Sequence, residues 1–194
     1  MPKRITLNDE ITWRYAQLTM ADVMLKDHAT EVSSKYFMIR SKAWRGLRTG
    51  TMKIGSFFKD EKQKIGMTAC CYCGKKDELS MDHIIPRKKL GSDLSENLLP
   101  ACHHCNSSKG AKDLIEWMRG QGKFPSIFLL RRYLKLVYFY CQNNILLTIP
   151  LTEARTMDLP FSLEQIESTL DYLYFPWQLN LTESIVFDEK HLQS

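Results

Sequence analysis

Four cysteines stand in two pairs, Cys70 with Cys73 and Cys102 with Cys105, each spaced C-x2-C and separated by 28 residues. A tight turn aims both sulfurs of such a pair at one point, so two pairs supply the four thiolates of a tetrahedral zinc. Gly74, directly after the first pair, suits a turn that needs unusual dihedrals. The segment between the pairs is short and polar, and metal binding would therefore be part of its folding free energy. Cys71 is one residue too near Cys73 to form a C-x2-C pair with it and is left out. His103 and His104 could each replace a thiolate, but two complete cysteine pairs make this unnecessary. Cys141 lies in an apolar helical pattern and reads as a small buried hydrophobe.

Between and just beyond the pairs stand Met81-Asp82-His83-Ile84-Ile85-Pro86-Arg87, then Asn97-Leu98-Leu99-Pro100, then Asn106-Ser107-Ser108-Lys109-Gly110. A neutral imidazole takes a proton near physiological pH, while carboxylate and amide oxygens are hard donors for Mg²⁺ or Mn²⁺. Phosphodiester hydrolysis calls on both kinds of group, one to deprotonate water and the other to offset charge on the departing oxygen. These elements resemble the HNH family of the ββα-metal nuclease superfamily, in the zinc-bearing branch with the pattern C-x-x-C, D-H, a central N, then C-x-x-C-[HN] and K. The resemblance runs from Cys70 to Lys109, 40 of 194 residues. It implies His83 as general base and Asp82 and Asn106 as ligands of one catalytic Mg²⁺ or Mn²⁺. It also implies that Asn97 braces the loop between two strands and orients the strand bearing the histidine. Asn106 stands where a histidine is more familiar. The result is an H-N-N variant, also met in the HNH domain of RNA-guided CRISPR nucleases.

The expected substrate is DNA, double-stranded in the first instance. Residues 1–149 hold 25 Lys and Arg against 14 Asp and Glu, whereas residues 150–194 hold 2 against 8. A basic field favours a polyanion, although many proteins are mildly basic for other reasons. Lys109, on a helix begun near Asn106, is expected to face a phosphate. Arg87 and Lys88 would follow on the loop after the first strand, with Lys89 beside them. A second basic set, Arg40, Arg45 and Arg48, punctuates an apolar helical pattern. It reads equally as a solvated helix face or as a face laid against phosphates.

The elements that must position these groups are mostly helical, giving an α+β chain with a small zinc-bound ββα module embedded in it. Helices are expected over residues 8–27, capped by Asn8 or Asp9, over 33–48 ending before Gly50, and over 56–65. Residues 67–109 lose helical periodicity, helical spacing returns through Leu114, Ile115, Trp117 and Met118, and the resemblance implies two antiparallel strands followed by a helix over 67–119. A helix over 126–141 is apolar around most of its circumference, which suits a core or a subunit contact. Ser162 and Gln165 read as a capping box, with Phe161 and Ile166 placed as a hydrophobic staple, for a last helix reaching about Phe175. The resulting divisions are a basic helical region over 1–66, the nuclease module over 67–120 and a helical region over 121–194.

Other classes fit less well. The first residues do not read as a secretory signal, and Arg131, Arg132 and Lys135 interrupt the most apolar stretch, which argues against a membrane span. Paired cysteines without an export signal favour metal over disulfides and a reducing, cytoplasmic setting. One such site cuts one strand, so a double-strand break would call for a homodimer, sequential nicking or a partner protein. Two alternatives remain: a zinc module that binds nucleic acid or protein without cutting it, and a nuclease subunit recruited into a larger defence complex. The resemblance leaves restriction, phage and antiphage defence open as biological settings.

Overall fold

The computed structural model describes residues 3–76, 78–171 and 185–186. Helix α1 (Leu7–Lys26) starts one residue before the expected cap. Thr6 is the cap: its hydroxyl accepts from the Asp9 N–H, while the Asp9 carboxylate accepts from the Thr6 N–H. Thr6 is held extended by a bridge to Pro150, which places the first helical turn ahead of Asn8. Helix α2 (Ser34–Arg48) packs along α1, where Trp13 and Trp44 meet edge to face at 5.4 Å. Gly50, just beyond it, takes φ +76°, as expected for a glycine ending a helix. Helix α3 (Phe58–Ile65) follows.

Strands β1 (Leu79–His83) and β2 (Leu98–Cys102) form an antiparallel pair in which Leu79 faces Cys102 and His83 faces Leu98. Helix α4 (His103–Lys109) leaves β2 without an intervening loop. It therefore begins three residues earlier than expected, and Asn106 sits one turn inside it rather than at its start. Then come α5 (Leu114–Gly120), β3 (Lys123–Phe124), α6 (Ile127–Asn143), α7 (Leu151–Ala154), α8 (Leu163–Asp171) and β4 (Ile185–Val186), which pairs with β3. The chain is thus a small two-stranded unit with a following helix, set within helices.

Helix α6 is the spine of the core. Ile127, Leu129, Leu130, Leu134 and Val137 are fully buried, and burying one such side chain is worth about 1.5–3 kcal/mol. Of the two expectations for this helix, core holds: one continuous apolar cluster takes in Ile11 and Leu18 of α1, Ile84 and Leu99 of the strand unit, and Phe161 and Ile166 beside α8. Ser162 caps α8 by accepting from the Gln165 N–H at 3.2 Å. The expected continuation to Phe175 lies outside the described residues. Among the described residues, no helix is long and apolar enough to cross a membrane.

Candidate functional site

The first cysteine pair sits on a turn closed by the Gly74 N–H donating to the Cys70 carbonyl at 2.9 Å, with Gly74 at φ +74°. The Cys71 N–H donates to the Pro100 carbonyl at 2.9 Å, which lays this turn against β2. The second pair straddles the end of β2 and the first turn of α4. These local geometries bring the ligand atoms of Cys70, Cys73, Cys102 and Cys105 within 4.8 Å of one another, a cluster able to hold a metal ion. Burial pushes the Cys70 and Cys105 thiols up. At Cys102 burial acts the same way, but hydrogen bonds from the Cys105 N–H and neighbouring thiols outweigh it and pull the thiol down. Cys71 is buried outside the cluster, His103 and His104 are exposed, and Cys141 is buried in α6 with its thiol raised to about 12 by burial.

Side chains alternate along β1, so Ser80 and Asp82 share one face and His83 lies on the other. Asp82 is 5% exposed. Its Oδ2 accepts from the Tyr72 hydroxyl at 2.6 Å and lies 3.1 Å from the Lys109 ammonium. Tyr72 is fully buried. Burial, then the electrostatic influence of the Cys71 sulfur and the Asp82 carboxylate, holds its phenol well above the usual range, so it remains a donor. Asn106 reaches β1 from α4, its Nδ2 donating to Ser80 Oγ at 2.9 Å. His83 is partly exposed, and its Nε2 lies 2.7 Å from Oδ1 of Asp93.

Asn97 is 1% exposed and spends its amide on the loop that follows β1. Its Oδ1 accepts from the Ile85 N–H at 2.9 Å, while Nδ2 donates to the carbonyls of Ile85 at 2.9 Å and Ser92 at 2.8 Å. Gly91 completes this packing: a Cβ there would lie 1.8 Å from the Ile85 carbonyl oxygen. The turn bearing Asn97 is gripped from outside the strand unit. Arg132 of α6 donates to the carbonyls of Glu96 at 2.7 Å and Ser95 at 2.9 Å and pairs with Glu61 of α3. Lys64 of α3 donates to the Ser95 carbonyl at 2.8 Å.

The basic residues divide into three groups. Lys109 is fully buried, and its ammonium donates to the His83 carbonyl as well as facing Asp82. This corrects the expectation that it faces a phosphate. Because α4 begins at His103, position 109 falls at the end of its second turn against β1, where a buried carboxylate claims the charge. Arg40 is half-buried and stacks over Trp13 at 4.6 Å and Phe37 at 5.0 Å, and Arg48 pairs with Asp9 at 2.7 Å over Trp44. These two brace the α1–α2 pair, whereas Arg45 is exposed. Arg87 and Lys88 are exposed, and the Arg87 guanidinium lies on the same Asp93 oxygen as the His83 imidazole.

Sequence reasoning missed Tyr72, Ser80, Asp93 and the Arg132–Glu61 grip. An aromatic residue inside a polar cysteine turn was a signal available for Tyr72. No spacing rule points to the others, because each meets its partner across a loop or between elements.

Residues 70–112 match the family model described as HNH endonuclease. Over 54 residues the chain is 44% identical to the CRISPR-associated endonuclease Cas9 of Corynebacterium diphtheriae. That alignment takes in 26% of this chain and 5% of the relative, so the likeness concerns a short stretch of a much larger protein. No solved structure matches.

Proposed function

With residues 70–112 carrying an HNH endonuclease module, we propose that the chain is a metal-dependent endonuclease that hydrolyses DNA at the corner where β1 meets α4. The observation that carries this reading is the contact of Asn106 with Ser80, two residues from Asp82 on the same strand face, with His83 next along the strand on the opposite face. The proposed roles are His83 as the base that takes a proton from water, and Asp82 and Asn106 as the holders of one Mg²⁺ or Mn²⁺. Tyr72 and Lys109 both act on Oδ2 of Asp82, which leaves Oδ1 as its available donor. Bound there, such a cation offsets the charge that develops on the leaving 3′ oxygen. The attacking oxygen bonds to phosphorus as the bond to the 3′ oxygen breaks, and the 3′ oxygen takes up a proton. The ends are a 5′-phosphate and a 3′-hydroxyl.

The four-cysteine cluster fits zinc in the structural role. A zinc about 2.3 Å from each of four sulfurs sets neighbouring sulfurs about 3.8 Å apart. The Cys73 and Cys102 sulfurs are 3.8 Å apart. Arg87 and Lys88, on the loop that follows the strand bearing the base, are the proposed phosphate contacts, with Arg45 on α2 a further one. A single site nicks one strand, and double-strand cleavage calls for a homodimer, sequential nicking or a partner protein.

The test compares wild type and His83→Ala on supercoiled plasmid with Mg²⁺, Mn²⁺ or chelator, then sequences the ends. Wild type should nick with metal only, and His83→Ala should lose at least about 100-fold while keeping its zinc and its fold. Equal nicking by the two proteins would remove the assignment. The competing reading, a zinc module that binds without cutting, predicts DNA binding by wild type with no metal-dependent nicking.

A further inference from the structure

Asp93 lies on the loop between the two strands, and its side chain makes none of the bonds by which Asn97 and Arg132 fix that loop. Asn97 and Arg132 hold the loop through backbone carbonyls at Ile85, Ser92, Ser95 and Glu96. The Asp93 side chain is 64% exposed and turns to one place: its Oδ1 meets His83 Nε2 at 2.7 Å and the Arg87 guanidinium. The hydrogen bond from Arg87, then that from His83, holds the Asp93 carboxyl below its ordinary value, so the group is a carboxylate.

An ionised carboxylate only accepts hydrogen bonds. An imidazole nitrogen at 2.7 Å from it must therefore carry the hydrogen, and in the neutral ring the other nitrogen is left with its lone pair. We infer that Asp93 is a positioning residue for His83, fixing the imidazole as the Nε2–H tautomer so that Nδ1 is the atom that accepts the proton from water. This rests on the reading of His83 as the base. Carboxylates that bond to the far nitrogen of a working histidine orient the ring and select its tautomer in the same way, and loss of such a partner of a metal-bound histidine costs about 10- to 100-fold in function. Arg87 shares the same oxygen. It holds the carboxylate toward the imidazole without competing for the nitrogen, since both partners donate.

The experiment uses the full zinc-loaded chain. Imidazole nitrogen shifts of ¹⁵N-labelled protein, recorded where His83 is neutral and assigned with His83→Gln, read the tautomer directly. Wild type should show Nε2 protonated. Asp93→Leu should lose that bias and lower the single-turnover nicking rate about 10- to 100-fold, with plasmid affinity unchanged. Asp93→Glu should regain part of both. A wild-type ring protonated on Nδ1, an unchanged tautomer in Asp93→Leu, or faster nicking by that variant would each overturn the inference. If His83→Ala nicks as well as wild type, the reading of His83 as base fails. If His83→Ala is dead and Asp93→Leu is fully active, only the role of Asp93 fails. Because Asp93 is exposed, its variants should match wild type in zinc content and thermal unfolding, which separates loss of positioning from loss of fold.

Discussion

The hydroxyl of Tyr72 donates to Oδ2 of Asp82 at 2.6 Å, and so ties the turn of the first cysteine pair to the strand that carries the candidate base. The metal-binding cluster and the candidate site therefore share one hydrogen-bonded path. Tyr72→Phe keeps the edge-on contact with Trp117 at 5.0 Å but leaves a buried carboxylate oxygen short of one donor. It should lower stability by about 1–3 kcal/mol in urea unfolding. Nicking should fall as well, and full activity in a stable Tyr72→Phe would show that the path carries nothing to the site.

Lys109→Met discriminates a structural lysine from a phosphate contact. Removing a buried cation from beside Asp82 should cost about 3–5 kcal/mol. The dependence of DNA affinity on salt should stay the same, whereas a lost phosphate contact would flatten its slope by about one. Unfolding and titration at several salt concentrations measure the two effects separately.

Chelation should act on the fold before it acts on chemistry. The cysteine cluster gathers the first turn, the end of β2 and the start of α4, so Cys102→Ser should release all three. Metal analysis of wild type should find about one zinc per chain. A Cys102→Ser protein that keeps its thermal transition would deny the cluster a structural role.

Asn97→Ala removes three hydrogen bonds from a side chain that is 1% exposed. The expected cost is about 2–4 kcal/mol, because backbone groups of Ile85 are left buried without partners. Gly91→Ala should disturb the same loop by steric overlap with the Ile85 carbonyl. Hydrogen exchange at residues 84–97 would detect both, and unaltered protection would count against the brace.

Glu61 gives the acid limb of stability a specific source. Burial raises its carboxyl, but donation from Lys64, Arg132 and Ser95 outweighs this and sets it at about 2, down from 4.5. Its folded value lies below its unfolded value, so the stabilisation is present above about pH 4.5 and is lost as pH falls through about 2. Glu61→Gln should therefore be less stable than wild type at neutral pH and less sensitive to acid over that window. Urea midpoints taken between pH 2 and 6 test it.

What could be read from residue order alone was local. The C-x2-C pairs, the Asp82-His83 dipeptide and the helical periodicities depend on neighbours along the chain, and turn or helix geometry converts that spacing directly into shared direction. The identity of the metal-binding set followed from this, and the ββα order from the family resemblance that those residues carry. Tertiary structure decided what each charge is for. Lys109 and Arg132 look like surface cations in the sequence, yet both are fully buried against groups that lie 26 and 36 residues away. Thr6 became a helix cap because Pro150 holds it extended, and Asp93 met His83 because the loop folds back over β1. Such partners are selected by packing across elements, where the electrostatic cost of an unpaired buried charge sets the outcome and no repeat in the sequence records it.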